Sequence, residues 1–229
     1  MRLARRGDLE GRALDPRELV LYADEQYAHL PYTRYHDDAE LAWVRARPLV
    51  HGDEVWVPAI AAVMDYPVQT RDEYICPITS NGLAAGPTPH HAVLAALTEV
   101  LERDAMLLSW LNCLPGRPHD ALQHPDESVR RLAGLYRRRG VELSLVELPT
   151  DHPVSVFIGI ALQREGADGP SSAMGLGADL DPVESALKAA LEVGQVRPSI
   201  RRRARMVSAT RVAELAADPS KVASMEGGG

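Results

Sequence analysis

Two stretches of the sequence put carboxylates beside a guanidinium at helical spacing. Glu99 and Glu102 are three residues apart, and Arg103 lies one turn beyond Glu99, so a helix would set all three on neighbouring positions. Ala95 and His91 continue that stripe toward the N-terminus, while Val93, Ala96, Leu97, Val100 and Leu101 form the face expected to pack inward. Two carboxylates in a row suit Mg²⁺, which takes hard oxygen ligands and shares them with phosphates. A solvated face with an intrahelical Glu–Arg pair fits the same spacing. Farther along, Glu192 and Gln195 repeat the three-residue interval, with Glu184 about two turns earlier and Arg197 just beyond. Gln195 can donate and accept, and Arg197 can pair with phosphate oxygens bidentately. An ordinary amphipathic helix, with Val183, Leu187, Ala190, Leu191 and Val193 inward, reads equally well from these residues alone.

Other reactive side chains carry less. His90 and His91 are adjacent, so on a helix they point apart and make a poor metal pair. His36-Asp37-Asp38 reads as a hydrated loop. Cys76 and Cys113 have no CxxC partner and no accompanying His/Asp constellation. They read as small buried residues, which argues against a disulfide framework or a cysteine zinc site and for a reducing compartment. Arg201-Arg202-Arg203 reads as a solvated cluster, with contact to an acidic peptide as the functional alternative.

The elements that must position these residues follow from caps and breakers. Asp15-Pro16 supplies a cap and a first-turn proline, which predicts one helix over Arg17–Leu30. Apolar and β-branched runs over Trp43–Val50 and Glu54–Ala62, with Gly52-Asp53 between them, predict a hairpin or successive strands. Cys76–Gly86 reads as a short strand entering a glycine-punctuated loop. Thr88 and Pro89 then open a helix running without a breaker to about Asn112. Asp126–Arg139 predicts another helix, closed by Gly140 in a left-handed cap. Val141–Leu148, Val154–Leu162 and Ala173–Leu176 read as strands. Asp181-Pro182 starts a helix to about Arg197 with Glu184 as capping-box partner, and a short helix is expected near 207–217. Helices and strands alternate irregularly, so the fold class is mixed α/β, of the α+β kind.

Composition narrows the function classes. The 229 residues are 45% apolar and 25% charged, with one Phe, so one large domain or two small ones with an aliphatic core are expected. A formal charge of −7 argues against nucleic acid or an anionic membrane as partner. The basic N-terminus has no following apolar segment of a secretory signal, and no uncharged apolar run reaches the roughly 18 residues of a membrane span. A cytoplasmic chain is the expectation.

Four separated stretches, taken together and in this order, resemble the YcaO superfamily, closest to its thiazole- and oxazole-forming peptide cyclodehydratase branch. They are LDPRELVLYADEQY at Leu14–Tyr27, TSNGLAAG at Thr79–Gly86, ALTEVLERDA at Ala96–Ala105 and EVGQVRP at Glu192–Pro198. The resemblance implies an ATP- and Mg²⁺-dependent reaction in which a Cys, Ser or Thr side chain of a precursor peptide attacks the preceding amide. By motif match it implies nucleotide-site roles for Ser80, Asn81, Glu99, Glu102, Arg103, Glu192, Gln195 and Arg197, with Glu99, Glu102 and Glu192 toward the metal. It also implies a leader-peptide-binding partner protein. The domain expected is a partial YcaO-like one over 14–224, helices on a mixed sheet, between a flexible basic 1–13 and a flexible 225–229. No ExxER helix precedes Glu99, His91 stands where the family usually has Glu, and Pro87 follows Gly86 where Asn is frequent. These departures read as a fragment, a split-gene piece completed by another N-terminal chain, or a degenerate paralogue with a peptide-binding scaffold role. Apolar surface left by a missing helix would favour a homodimer or that complementing chain.

Overall fold

The structure, a computed structural model, describes all residues except 21, 51, 165–170 and 207–229, and the backbone alone of 204–206. The short helix expected near 207–217 lies outside the described residues. The chain divides into two compact units, 1–93 and 94–229, with the division inside one long helix.

The first unit is built on a mixed four-stranded sheet in the order β1-β3-β4-β2, from β1 (Arg2–Ala4), β2 (Arg12–Ala13), β3 (Leu41–Ala46) and β4 (Val55–Pro58). β3 and β4 form the expected hairpin, with Trp43 opposite Pro58 and Ala46 opposite Val55. The N-terminal residues are not loose: Arg2 pairs opposite Trp43, and the buried Trp43 Nε1 donates to the Ala4 carbonyl at 3.0 Å. Three other departures from the sequence reading follow. Asp15 caps α1 (Pro16–Leu19) by accepting from the Arg17 N–H, but a second short helix, α2 (Asp24–Tyr27), replaces the continuation. There Gln26 Oε1 takes the Ala23 N–H at 2.8 Å, and Tyr22 packs against Tyr27 and Tyr32 with ring centroids 5.7 and 5.6 Å apart. β4 stops at Pro58, and the chain turns into α3 (Ala59–Ala62). Cys76 starts no strand; the preceding loop is held by the buried Glu73, which accepts from Tyr66 Oη and the Gln69 N–H at 2.8 and 2.7 Å.

The second unit is a three-layer arrangement around an antiparallel sheet in the order β5-β6-β7-β8. Its strands are β5 (Arg117–His119), β6 (Val141–Leu148), β7 (Ser155–Gln163) and β8 (Ser172–Asp179). Side chains alternate across the sheet. Leu143, Leu145, Phe157, Ala161 and Ala173 face one way, against Val129 and Ala133 of α5 (Glu127–Arg138) and Ala186, Ala189 and Val193 of α6 (Pro182–Met206). Val156, Ile158, Leu176 and Ala178 face the other way, against Leu101, Ala105 and Met106 of the long helix α4 (Pro89–Asn112). Caps fall as the residues require: Asp126 Oδ1 accepts from the N–H groups of Ser128 and Val129, and Gly140 closes α5 at φ 70°.

Three expectations fail here. Glu184 makes no capping box, because the Asp181 N–H donates to Asp179 Oδ1 at 3.1 Å. α6 continues through Pro198, where Val196 and Ile200 still pack on the core. Cys113 is exposed at φ 52° beyond the end of α4, not a buried small residue.

Candidate functional site

α6 approaches the sheet more closely than side chains would permit, because the strands offer glycine where it crosses. A Cβ on Gly175 would sit 2.5 Å from the Val193 nitrogen and 2.9 Å from the Glu192 carbonyl carbon; one on Gly177 would sit 2.3 Å from the Ser185 carbonyl oxygen. Gly159, opposite Gly175 in the ladder, faces the Ala189 carbonyl oxygen in the same way. Ser185 fits this seam by donating from Oγ to the carbonyls of Ser155 and Gly177 at 2.9 and 2.7 Å.

The close approach lets two α6 side chains, one turn apart, reach the edge strand. Glu192 Oε2 accepts from the Leu176 N–H at 2.5 Å. Lys188 Nζ donates to the Ala178 carbonyl at 3.2 Å and to Asp179 Oδ2 at 2.5 Å. Sequence reasoning missed Lys188 and Leu176. The signal was present in MGLGAD, whose alternate glycines on a strand mark close approach by another backbone.

α4 brings Glu99 and Glu102 from the opposite face of the sheet. Glu102 is 12% exposed and lies 3.8 Å from Arg103 Nε, which is buried without a hydrogen-bond partner. Burial raises the Glu102 carboxyl to about 7; the negative charges of Glu192 and Glu99 push the same way, against Arg103 and Lys188. The two helices flank the sheet, and Glu192 stands at the edge of β8 on the Leu176 N–H. Glu99, Glu102 and Glu192 are brought within electrostatic reach of one another, with Arg103 and Lys188 among them.

Among the described residues no three His, Cys, Asp or Glu side chains converge into a complete metal cage. Mg²⁺ uses one or two carboxylates and takes its other ligands from water and phosphate. A divalent cation would relieve the repulsion between Glu102 and Glu192, and a phosphate oxygen would satisfy Arg103 Nε. On these grounds the residues fit a cation–phosphate group.

The remaining sequence candidates lie elsewhere. Gln195 is exposed on α6. Arg197 lies more than a turn past Glu192, donating from Nη2 to Gln163 Oε1 at 2.6 Å beside Tyr136 of α5. Ser80 and Asn81 belong to the first unit, in a turn closed by the Leu83 N–H on the Ser80 carbonyl at 2.9 Å, with Gly82 at φ 74°. His91, at the family's Glu position, serves the start of α4: its Nδ1 lies 2.7 Å from Thr88 Oγ1. The face of α4 expected to pack inward does so only through Leu101; Val93, Leu97 and Val100 are exposed.

Residues 1–227 match the family model for YcaO cyclodehydratases, described as ATP- and Mg²⁺-binding. An uncharacterised protein of Methanothermobacter thermautotrophicus is 30% identical over 184 residues, 80% of this chain and 45% of that one. An uncharacterised protein in the tfuA 3′ region of Rhizobium leguminosarum bv. trifolii is 28% identical over 166 residues, 69% of this chain and 39% of its own. The chain thus spans less than half the length of these relatives. A heterocyclase solved in complex with substrate and cofactor superposes with a TM-score of 0.74 at 25% identity, over 86% of this chain and 28% of that one. YcaO from Methanopyrus kandleri, bound with AMPPCP and Mg²⁺, superposes at 0.64 and 25% identity, over 88% and 47%. With the family model covering nearly its whole length, and with carboxylates from two helices within electrostatic reach, the chain belongs to the YcaO family.

Proposed function

We propose that this chain is a component of an ATP-dependent cyclodehydratase that forms thiazoline or oxazoline rings on a ribosomally made precursor peptide. The observation that carries the reading is that Glu102 and Glu192, from helices on opposite faces of one sheet, lie within electrostatic reach, with Arg103 Nε buried beside Glu102 without a hydrogen-bond partner. In the reaction a Cys, Ser or Thr side chain bonds to the preceding amide carbon. The proton of that thiol or hydroxyl is given up, and the amide oxygen, once phosphorylated with release of ADP, would leave as phosphate while loss of the amide proton completes the C=N bond. Bound ATP and Mg²⁺ supply the phosphoryl group and neutralise its charge.

The chain's own residues position and balance charge. One or two of Glu99, Glu102 and Glu192 would ligate the cation while the rest balance its charge, and the Leu176 N–H fixes one oxygen of Glu192. Arg103 would take a phosphate oxygen. Gln195 and Arg197 would extend the site along α6, Arg197 by leaving Gln163. Ser80 and Asn81 keep their family role in the nucleotide site as part of the proposal. A leader-peptide-binding partner protein, and either a homodimer or a complementing N-terminal chain, complete the assembly in the cytoplasm. The structure adds that, among the described residues, no helix is long and apolar enough to cross a membrane.

Calorimetry with AMPPCP and Mg²⁺ tests this reading. Binding is expected for the whole chain and lost in Glu99→Ala and Glu192→Ala. Absence of any Mg²⁺-dependent nucleotide binding by the wild-type chain would remove the reading.

A further inference from the structure

β8 is an edge strand, and its outward backbone has a readable pattern. The Leu176 N–H and the Ala178 carbonyl turn away from β7, toward Glu192 and Lys188. In an antiparallel ladder, alternate residues turn their backbone groups the same way. Ser172 and Met174 share the parity of Leu176, standing opposite Leu162, Ile160 and Ile158 respectively. The ladder itself continues through the odd-numbered positions, as the Gln163 N–H on the Ser171 carbonyl at 2.8 Å shows. Ser172 and Met174 therefore present N–H and C=O groups outward. Both residues are exposed, Met174 at 45%, and no side chain or backbone group among the described residues covers those outward groups. One end of this edge is closed by α6, and no described residue pairs with the other.

We propose that an extended substrate peptide adds as a further strand to the open edge of β8 at Ser172–Met174, ending against Glu192. This rests on the cyclodehydratase reading and says where its peptide lies. A strand added there runs about 4.8 Å from β8. Its backbone is led to Glu192. The atom to be phosphorylated in the proposed reaction is a backbone amide oxygen, so recognition through backbone hydrogen bonds presents the reacting group itself. Pairing of this kind holds the main chain in register while leaving alternate side chains outside, so it accepts cores of varied sequence. The exposed side chains of Met174 and Leu162 on the flanking surface are apolar, suited to Cys and Thr rather than to charged residues.

The experiment uses the full chain and a short capped peptide of alternating threonine and cysteine, read by hydrogen exchange at single amides. The expected result is slowed exchange at Ser172 and Met174, kept in Met174→Ala; in Met174→Pro, which has no amide hydrogen at 174, the slowing is lost at Ser172. Proline is tolerated on an edge strand where the N–H faces outward, and it removes the donor. The same peptide N-methylated at alternate residues should give no protection. Equal protection by the N-methylated peptide, or protection confined to other elements, would overturn the proposal, including where Met174→Pro fails to fold. AMPPCP and Mg²⁺ calorimetry on wild type and Met174→Ala separates the two readings. Nucleotide binding without strand pairing sinks only the peptide edge; pairing without nucleotide binding sinks only the ATP site.

Discussion

Glu102 shows how little a residue's type says without its surroundings. By spacing it is a surface carboxylate on a helix; in the fold it is buried beside two others and shifted to about 7. An upward shift means that the native state holds a proton that the unfolded state has released. Stability carried by this group is therefore present at low pH and is lost as pH rises from the ordinary carboxylate range to about 7, flattening above it. Urea denaturation at pH 5 and pH 8 should show that decline, and Glu102→Gln, which cannot ionise, should remove it. Mg²⁺ competes with the proton for the same oxygens, so added Mg²⁺ should stabilise the wild type more at pH 8 than at pH 5. Glu192 was legible as a candidate from its motif. Its hydrogen bond to Leu176 was not, because the partner is a backbone N–H and backbone groups leave no trace in residue type.

At the scale of elements, α6 depends on the absence of side chains beneath it. Gly177→Ala would drive a methyl into the Ser185 carbonyl and the Ala189 N–H, both backbone and neither able to rotate away. The expected cost is about 1–3 kcal/mol, measured by chemical denaturation, together with weaker nucleotide binding as Glu192 is lifted from the edge. Gly134 offers the contrast: its nearest neighbour is the far end of Arg138 at 3.7 Å, so Gly134→Ala should be neutral or slightly stabilising on α5. α4, announced by a cap and a proline, and α5, bounded by Asp126 and Gly140, were read nearly to the residue. The segment after Asp15-Pro16 had the same signal and broke after one turn. Ring packing among Tyr22, Tyr27 and Tyr32 decides that segment, and helical periodicity does not register it.

Across the whole molecule, β6, β7 and β8 were legible as strands because they alternate cleanly, while their antiparallel pairing replaces the mixed sheet expected. The first unit's sheet was not, since β1 pairs with β3 almost forty residues away through Trp43. The site was legible as motifs and illegible as a place. That α4 and α6 lie on opposite faces is a property of topology rather than of either helix. The Glu192–Leu176 bond has one more consequence. A sheet with an open border can recruit a second copy of itself, and natural proteins protect such borders with charge. Glu192 and Lys188 do so here on half of β8, which makes Glu192 a guard against aggregation. Glu192→Ala should therefore not be an inert control. Incubated at high concentration, it should scatter more light and bind more thioflavin than Glu192→Gln, which loses the charge but keeps an oxygen for the Leu176 N–H.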